Sequence, residues 1–502
     1  MGIWFYLVAC VVVICVKVFL KIKHKKRLPP SPPTIPILGN IFWLLKSSKN
    51  FADLEPVLRS LRSKYGNIVT IHIGSNPSIF ITCQEAAHRA LVKNGTVFAG
   101  RPLALQTTQV FFPNQYTVTT SPFGHNWRMM RQNLMQVIQP SQLKSYSRCR
   151  KWALNILKRH ITEEIESGNK AVPMEEHFNY ALYALFSYIC FGEKFDERTV
   201  RNIQRVQHGF LHNFIKFNVL NFAPFLSKIV FRGLWREILK IREDQVNVFL
   251  PIIKARQEKI KGEVGVEEFK AYVDSLYDMK LPSNGSKLRD EELVSMCAEF
   301  MIGGTDTTVT TWVWCMANLV KYQEVQEKLF DEIKDVVEGG EEIEEEHLKR
   351  MPYLKAVVLE TLRRHPPGHF ILPRAVTEDT VMDGYEIPKN AMVNFLVAEF
   401  GWDSNVWEDP MEFKPERFLR DDDGKFDLKG TMKIKMMPFG AGRRVCPAIS
   451  MATLHLEYFV ANLVRDFKWS LEDGCEVDMT EKQAFTIVMK NPLKPMVSPR
   501  IT

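Results

Sequence analysis

The sequence predicts a mainly α, α+β body, helix-rich with small β-sheets, behind one N-terminal transmembrane helix. Three observations carry this expectation. Residues 151–165, 293–320, 325–337 and 354–364 repeat apolar side chains at helical spacing. Strand-like pieces are short and confined to 68–73, 78–82 and 391–396, with no alternating βαβ rhythm. At the N-terminus, residues 3–20 form an apolar run of about 18 residues, just long enough to cross a bilayer core.

The run carries one charge, Lys17, near its end, from where it can snorkel to the interface. A cleaved signal peptide would place basic residues before the run and a small-residue cleavage site after it. Here Met1-Gly2 leads in, and a basic cluster from Lys21 to Arg27 follows. Residues 1–20 are therefore read as an uncleaved single-pass anchor, with the basic flank and all that follows on the cytosolic side. The charge agrees. Lys17, Lys21, Lys23, Lys25, Lys26, Arg27, Lys46 and Lys49 give the first fifty residues +8 with no acid, which is the whole net charge of the chain, so the remaining 452 residues sum to zero. A nucleic-acid-binding body, which needs excess positive charge where it binds, is disfavoured.

Residues 21–40 continue as a basic flank and a proline-rich hinge, with Pro29, Pro30, Pro32, Pro33 and Pro36 close together. Such density forbids helix and favours a stiff extended tether. Residues 41–502 are then one catalytic domain, without a Gly/Ser linker or fixed-period repeat to divide it. The chain's nine cysteines, seven of them in this domain, are odd in number and form no CxxC pair, which fits a reducing compartment. In that setting the glycosylation-type triplets at Asn94 and Asn284 go unused.

The most informative stretch is Phe439-Gly440-Ala441-Gly442-Arg443-Arg444-Val445-Cys446-Pro447. Its glycines let the backbone turn tightly and approach something flat. Pro447 opens a helical pattern through 463, so Cys446 is expected at a helix N-terminus, where dipole and free N–H groups favour thiolate. A lone thiolate is poor for structural zinc and suits one axial bond to a haem iron.

In this loop the sequence resembles the haem-binding segment of the cytochrome P450 monooxygenases. It departs from that pattern only in placing Ala448 where the family carries glycine. The resemblance implies haem b with Cys446 as axial ligand, and further motifs follow in family order. Gly303-Gly304-Thr305-Asp306-Thr307-Thr308 lies within the apolar segment 293–320, where Glu299, Asp306 and the threonines argue against a second membrane span. By resemblance, Thr307 would hydrogen-bond dioxygen and Asp306 would supply the protons that O–O cleavage consumes. Glu360 and Arg363, with Arg417 from Pro415-Glu416-Arg417-Phe418, look like the family's structural Glu–Arg–Arg triad. Trp127, Arg131, Arg374 and Arg444 occupy positions that contact the haem propionates, and Phe439 opens the cysteine loop. Segments 454–464 and 481–485 look similar to one group of plant microsomal members.

No Gly-rich nucleotide fingerprint follows a strand, so electrons must come from a partner. The family implies an NADPH-dependent flavoprotein reductase, or a small electron-transfer cytochrome. Lys433, Lys435, Arg443 and Arg128 are candidates for its docking face, against the plainer reading of a solvated charge patch. Phe210, Phe214, Phe217, Phe222, Phe225 and Phe231 make an aromatic stretch that either dips into the endoplasmic reticulum bilayer or packs as core. Either way a small hydrophobic substrate is expected. Two rival functions are a haem-thiolate isomerase or dehydratase and a non-catalytic haem or lipid carrier. Retention of Asp306-Thr307 disfavours both.

Overall fold

The structure is a computed structural model that describes residues 27–35, 39–40, 43, 54–73, 76–169, 171–221, 224–262, 269–337, 341–419 and 426–500. The expected anchor, residues 1–20, lies outside the described residues. No helix among those described is long and apolar enough to cross a membrane. The chain groups into two compact units, one formed by residues 1–102, 369–400 and 429–444, the other by the remaining segments.

The first unit is built on a sheet. Helix α1 (Leu54–Tyr65) leads into β1 (Ile68–Ile73), which pairs antiparallel with β2 (Asn76–Ile81). After β3 (Arg374–Ala375), strands β4 (Thr380–Met382) and β5 (Tyr385–Ile387) make a hairpin. Its two-residue turn, Asp383-Gly384, has φ of 52° and 79°, the sign combination an Asp-Gly turn of this hand requires. Then β6 (Met392–Phe395) completes the order β1-β2-β6-β3, parallel to β2 and antiparallel to β3. Period-two alternation sorts the faces. Ile79, Ile81, Val393 and Phe395 enter one core, whereas Val69, Ile71 and Phe80 meet Val57, Leu58 and Leu61 of α1.

The described part of the hinge is fastened to this sheet rather than standing free of it. The Thr70 N–H donates to the Pro30 carbonyl at 2.8 Å, and the Glu386 N–H to the Arg27 carbonyl at 2.9 Å. Asn40 closes the segment, its amide donating to the carbonyls of Pro32 and Pro33 at 3.0 and 2.9 Å. Proline lacks an N–H but keeps its carbonyl, so such a segment can still border a sheet as an acceptor.

The second unit is helical. Its longer helices are α2 (His125–Ile138), α3 (Ser147–Glu166), α4 (Met174–Phe191), α5 (Glu197–Phe217), α6 (Arg232–Gly262), α7 (Asp290–Gly304), α8 (Asp306–Lys321), α9 (Gln323–Val336), α10 (Pro352–Arg364) and α11 (Ile449–Asp466). Short strands β7 (Phe467–Ser470) and β10 (Met496–Pro499) pair with each other, as do β8 (Glu481–Gln483) and β9 (Ile487–Met489). Helices α4, α7 and α8 are apolar nearly all round and accordingly buried. Phe178 of α4 stacks on Trp312 of α8 with centroids 4.0 Å apart, and Phe459 of α11 meets the same ring edge-on.

Candidate functional site

The cysteine loop is shaped by its glycines. Gly440 and Gly442 have φ of 69° and 71°, a region that side chains rarely occupy. A Cβ on Gly442 would also overlap the Leu91 carbonyl oxygen, so this loop lies directly on the backbone of the first unit's own chain. Arg444 is buried there, its Nε donating to the Ala99 carbonyl at 2.7 Å, and the Arg374 guanidinium donates to the Arg444 carbonyl at 3.4 Å. Phe439 is half-buried in the same unit.

Cys446, in the second unit, is of intermediate exposure. The helix after it begins at Ile449, so Pro447 stands in a turn rather than at the first helical position. Burial pushes the Cys446 thiol above its ordinary value, overriding the Ala448 N–H and the Arg131 charge, which pull it down. The expected thiolate-favouring groups are thus present, but they are outweighed; a bound metal ion deprotonates a coordinating thiol outright. Ala448 adopts φ −100° and ψ 22°, a conformation open to any L-residue, so alanine here needs no left-handed backbone.

The segment read as one helix over 293–320 is two, broken at Thr305 with φ −86° and ψ −73°. The two glycines before the break differ in their surroundings. A Cβ on Gly304 would overlap the Phe186 ring, so this glycine lets α4 approach. A Cβ on Gly303 would meet nothing within 4 Å, and Gly303 is exposed between buried Ile302 and half-buried Gly304. Thr307, one turn on, shares that open face and donates its hydroxyl proton to the Gly303 carbonyl at 2.9 Å. Its lone pairs remain to accept.

Asp306 does not face Thr307, because consecutive residues on a helix point about 100° apart. Its carboxylate lies beside Thr305, whose Oγ1 approaches it at a long 3.5 Å while donating to the Met301 carbonyl at 2.9 Å. Burial raises the Asp306 carboxyl from an ordinary 3.8 to about 7, and the nearby charge of Glu175 adds to the rise.

The three predicted structural residues do meet. Arg363 holds both carboxylate oxygens of Glu360, and Arg417 Nε adds a third bond to Glu360 Oε1 at 3.1 Å. Arg363 also reaches the carbonyls of Gly401, Pro410 and Glu412, so α10 is tied to the segment that precedes Arg417.

Trp127 and Arg131 share a face of α2, with the guanidinium 5.5 Å from the indole centroid. The Trp127 N–H donates to the Val118 carbonyl at 3.1 Å. Arg131 is bound to the cysteine loop, Nη2 donating to the Val445 carbonyl at 2.8 Å. The sequence reading missed Glu299. This half-buried carboxylate of α7 accepts the N–H groups of Val118 and Thr119 at 2.9 and 2.7 Å, holding the loop that in turn holds Trp127. Its signal was an acid inside an apolar helical run.

The aromatic stretch divides. Phe210 and Phe217 pack in a core with Phe111, Phe112 and Trp235. Phe225 is 79% exposed and stands with exposed Leu226, Ile229 and Val230 on the helix Pro224–Val230. Lys433 and Arg443 are exposed in the first unit, and Arg128 in the second.

Known proteins match this chain over most of its length. The family model described as Cytochrome P450 matches residues 29–498. The chain is 46% identical to Cytochrome P450 89A9 of Arabidopsis thaliana over 488 residues, covering 94% of each. It is 31% identical to the ferruginol synthase of Salvia fruticosa, with 93% of each covered. A solved zebra fish cytochrome P450 with progesterone shares the fold with TM-score 0.75 at 19% identity, over 89% of this chain and 99% of that one.

Proposed function

The chain belongs to the cytochrome P450 family, and on that premise we propose that it is a membrane-anchored monooxygenase. It would insert one atom of O2 into a small hydrophobic substrate, using electrons from NADPH through a partner reductase. The observation that carries the reading is the open face of Gly303 and Thr307 in a unit that also holds Cys446 and Arg131. These residues fit haem b, which Cys446 would hold through its sulfur and which supplies dioxygen activation and O–O cleavage when bound.

The remaining roles belong to this chain's side chains. Arg131 in the second unit, and Arg374 and Arg444 in the first, are each proposed as a cation for a haem propionate; Trp127 would have to give up its bond to the Val118 carbonyl to donate to one. Phe439 would shape the loop beside the ligand cysteine. Thr307, its own proton engaged by Gly303, accepts a hydrogen bond on the distal side. Asp306, poised near neutrality, gives up and recovers protons there. Glu360, Arg363 and Arg417 brace α10 against residues 401–417. Lys433, Lys435, Arg443 and Arg128 would steer an acidic reductase surface, and the exposed helix Pro224–Val230 would rest on the endoplasmic reticulum bilayer that the anchor enters from the cytosolic side.

Thr307→Ala tests the chemical core of this reading. With the reductase and NADPH present, the variant should keep haem while diverting most electrons to hydrogen peroxide; an unchanged peroxide fraction would reject the role of Thr307.

A further inference from the structure

Asp306 is half-buried, with its carboxyl near Glu175 and Tyr183 of α4, and a group that spends protons needs a way to regain them. Three polar side chains behind it each bury an atom that meets no hydrogen-bond partner among the described residues: the Tyr183 hydroxyl, the Ser187 hydroxyl and His208 Nε2. Tyr183 and Ser187 are one turn apart on the same face of α4. The Tyr183 hydroxyl is close enough to feel the Asp306 charge and the Thr305 hydroxyl, without hydrogen-bond geometry to either. On its other side the Tyr183 ring meets that of His208 edge-on, 5.4 Å between centroids. His208 stacks obliquely on His212, 4.8 Å away.

Exposure falls steadily along this series. His212 is exposed, His208 half-buried, and Tyr183, Ser187 and Thr305 are buried. The outer end opens into a cleft of about 590 Å³ lined by Glu175, Asn179, Arg205, His208, His212 and Lys494, among others. A buried hydroxyl without a partner is costly, whereas a polar space with several such atoms suits bridging water. We propose that this cleft is the proton inlet of Asp306, and that His208 and Tyr183 are the relay residues between them.

The inference rests on Asp306 being a proton donor. In each passage the His208 imidazole takes a proton from water in the cleft on one ring nitrogen and releases one from the other. The Tyr183 oxygen accepts it while its own proton moves on, through bridging water, to the Asp306 carboxylate. One proton enters and one arrives, and each relay regains its neutral form. Burial suits both groups to this part. It holds the Tyr183 hydroxyl well above its usual range, and with the His212 charge it lowers His208 to about 4, so neither stays ionised near neutral pH. Glu175, a cleft carboxylate whose charge reaches Asp306, raises the acid's pKa and is assigned no relay step.

The test needs no turnover. The haem-loaded full chain is mixed rapidly into D2O, and the infrared band of the protonated Asp306 carboxyl, identified by its loss in Asp306→Asn, is followed as it exchanges. Tyr183→Phe and His208→Leu should each slow exchange about tenfold or more. Glu175→Gln should exchange at the wild-type rate with a lower Asp306 midpoint. Wild-type rates in either relay variant would overturn the proposal. Tyr183→Phe removes only an oxygen with no partner, so its melting temperature should hold or rise. Failure of the wider reading shows separately, as an unchanged peroxide fraction in Thr307→Ala.

Discussion

Arg363 and Glu360 form a two-pronged ion pair, with bonds of 2.7 and 2.8 Å and neither side chain exposed to solvent. Taking two charges out of water is costly, and only complete hydrogen bonding of both ends compensates. Here Arg363 spends its remaining donors on three carbonyls, so nothing at the pair is left unmet. Glu360→Gln should therefore destabilise the fold by about 3–5 kcal/mol, since it leaves a buried guanidinium uncompensated. Arg363→Lys should not restore it, because an ammonium cannot make the fork. Thermal melts and haem content of the three proteins check this.

Adjacent glycines should respond oppositely to alanine. Gly304→Ala forces a methyl into the Phe186 ring and should cost about 1–3 kcal/mol. Gly303→Ala meets open space and gains helix propensity, so its melting temperature should hold or rise. If that open space is the haem face, Gly303→Ala alone should also shift the haem absorption.

The raised Asp306 carboxyl gives stability a pH dependence. The folded chain holds this proton up to about pH 7, whereas the unfolded chain loses it near 3.8. Between these values the native state binds more protons, so this group's contribution to stability falls as pH rises. Asp306→Asn does not titrate. Its melting temperature should therefore gain on the wild type steadily from about pH 4 to pH 7 and stay ahead above it.

Membrane contact is expected of Phe225 and Leu226, which are 79% and 58% exposed. Replacing both by serine in an anchor-deleted protein should weaken sedimentation with vesicles without lowering the melting temperature. Phe217→Ser, by contrast, strikes the core and should lower it.

Much of this was legible in the sequence because it depends on local spacing. The glycines at 440 and 442 mark a backbone that must turn and approach closely, and the apolar period marks α9 and α10 within a few residues. What escaped depends on which distant segments meet. Nothing in the order of residues tells that Glu299 holds the loop before Trp127, or that Tyr183 lies behind Asp306. The aromatic stretch shows the same limit. Phe217 and Phe225 look alike along the chain, yet one is core and the other surface. The helix break at Thr305 turns Asp306 toward α4, whereas adjacency in the sequence suggested a direct partnership with Thr307. Proline density correctly excluded helix from the hinge but could not reveal that its carbonyls border β1.

The central claim is that Cys446 binds haem iron as thiolate. The absorption spectrum of the reduced protein under carbon monoxide tests it most directly. A Soret band displaced strongly to the red, lost in Cys446→Ser, is the predicted result. A band at the position given by histidine-ligated haem in folded wild-type protein would contradict it.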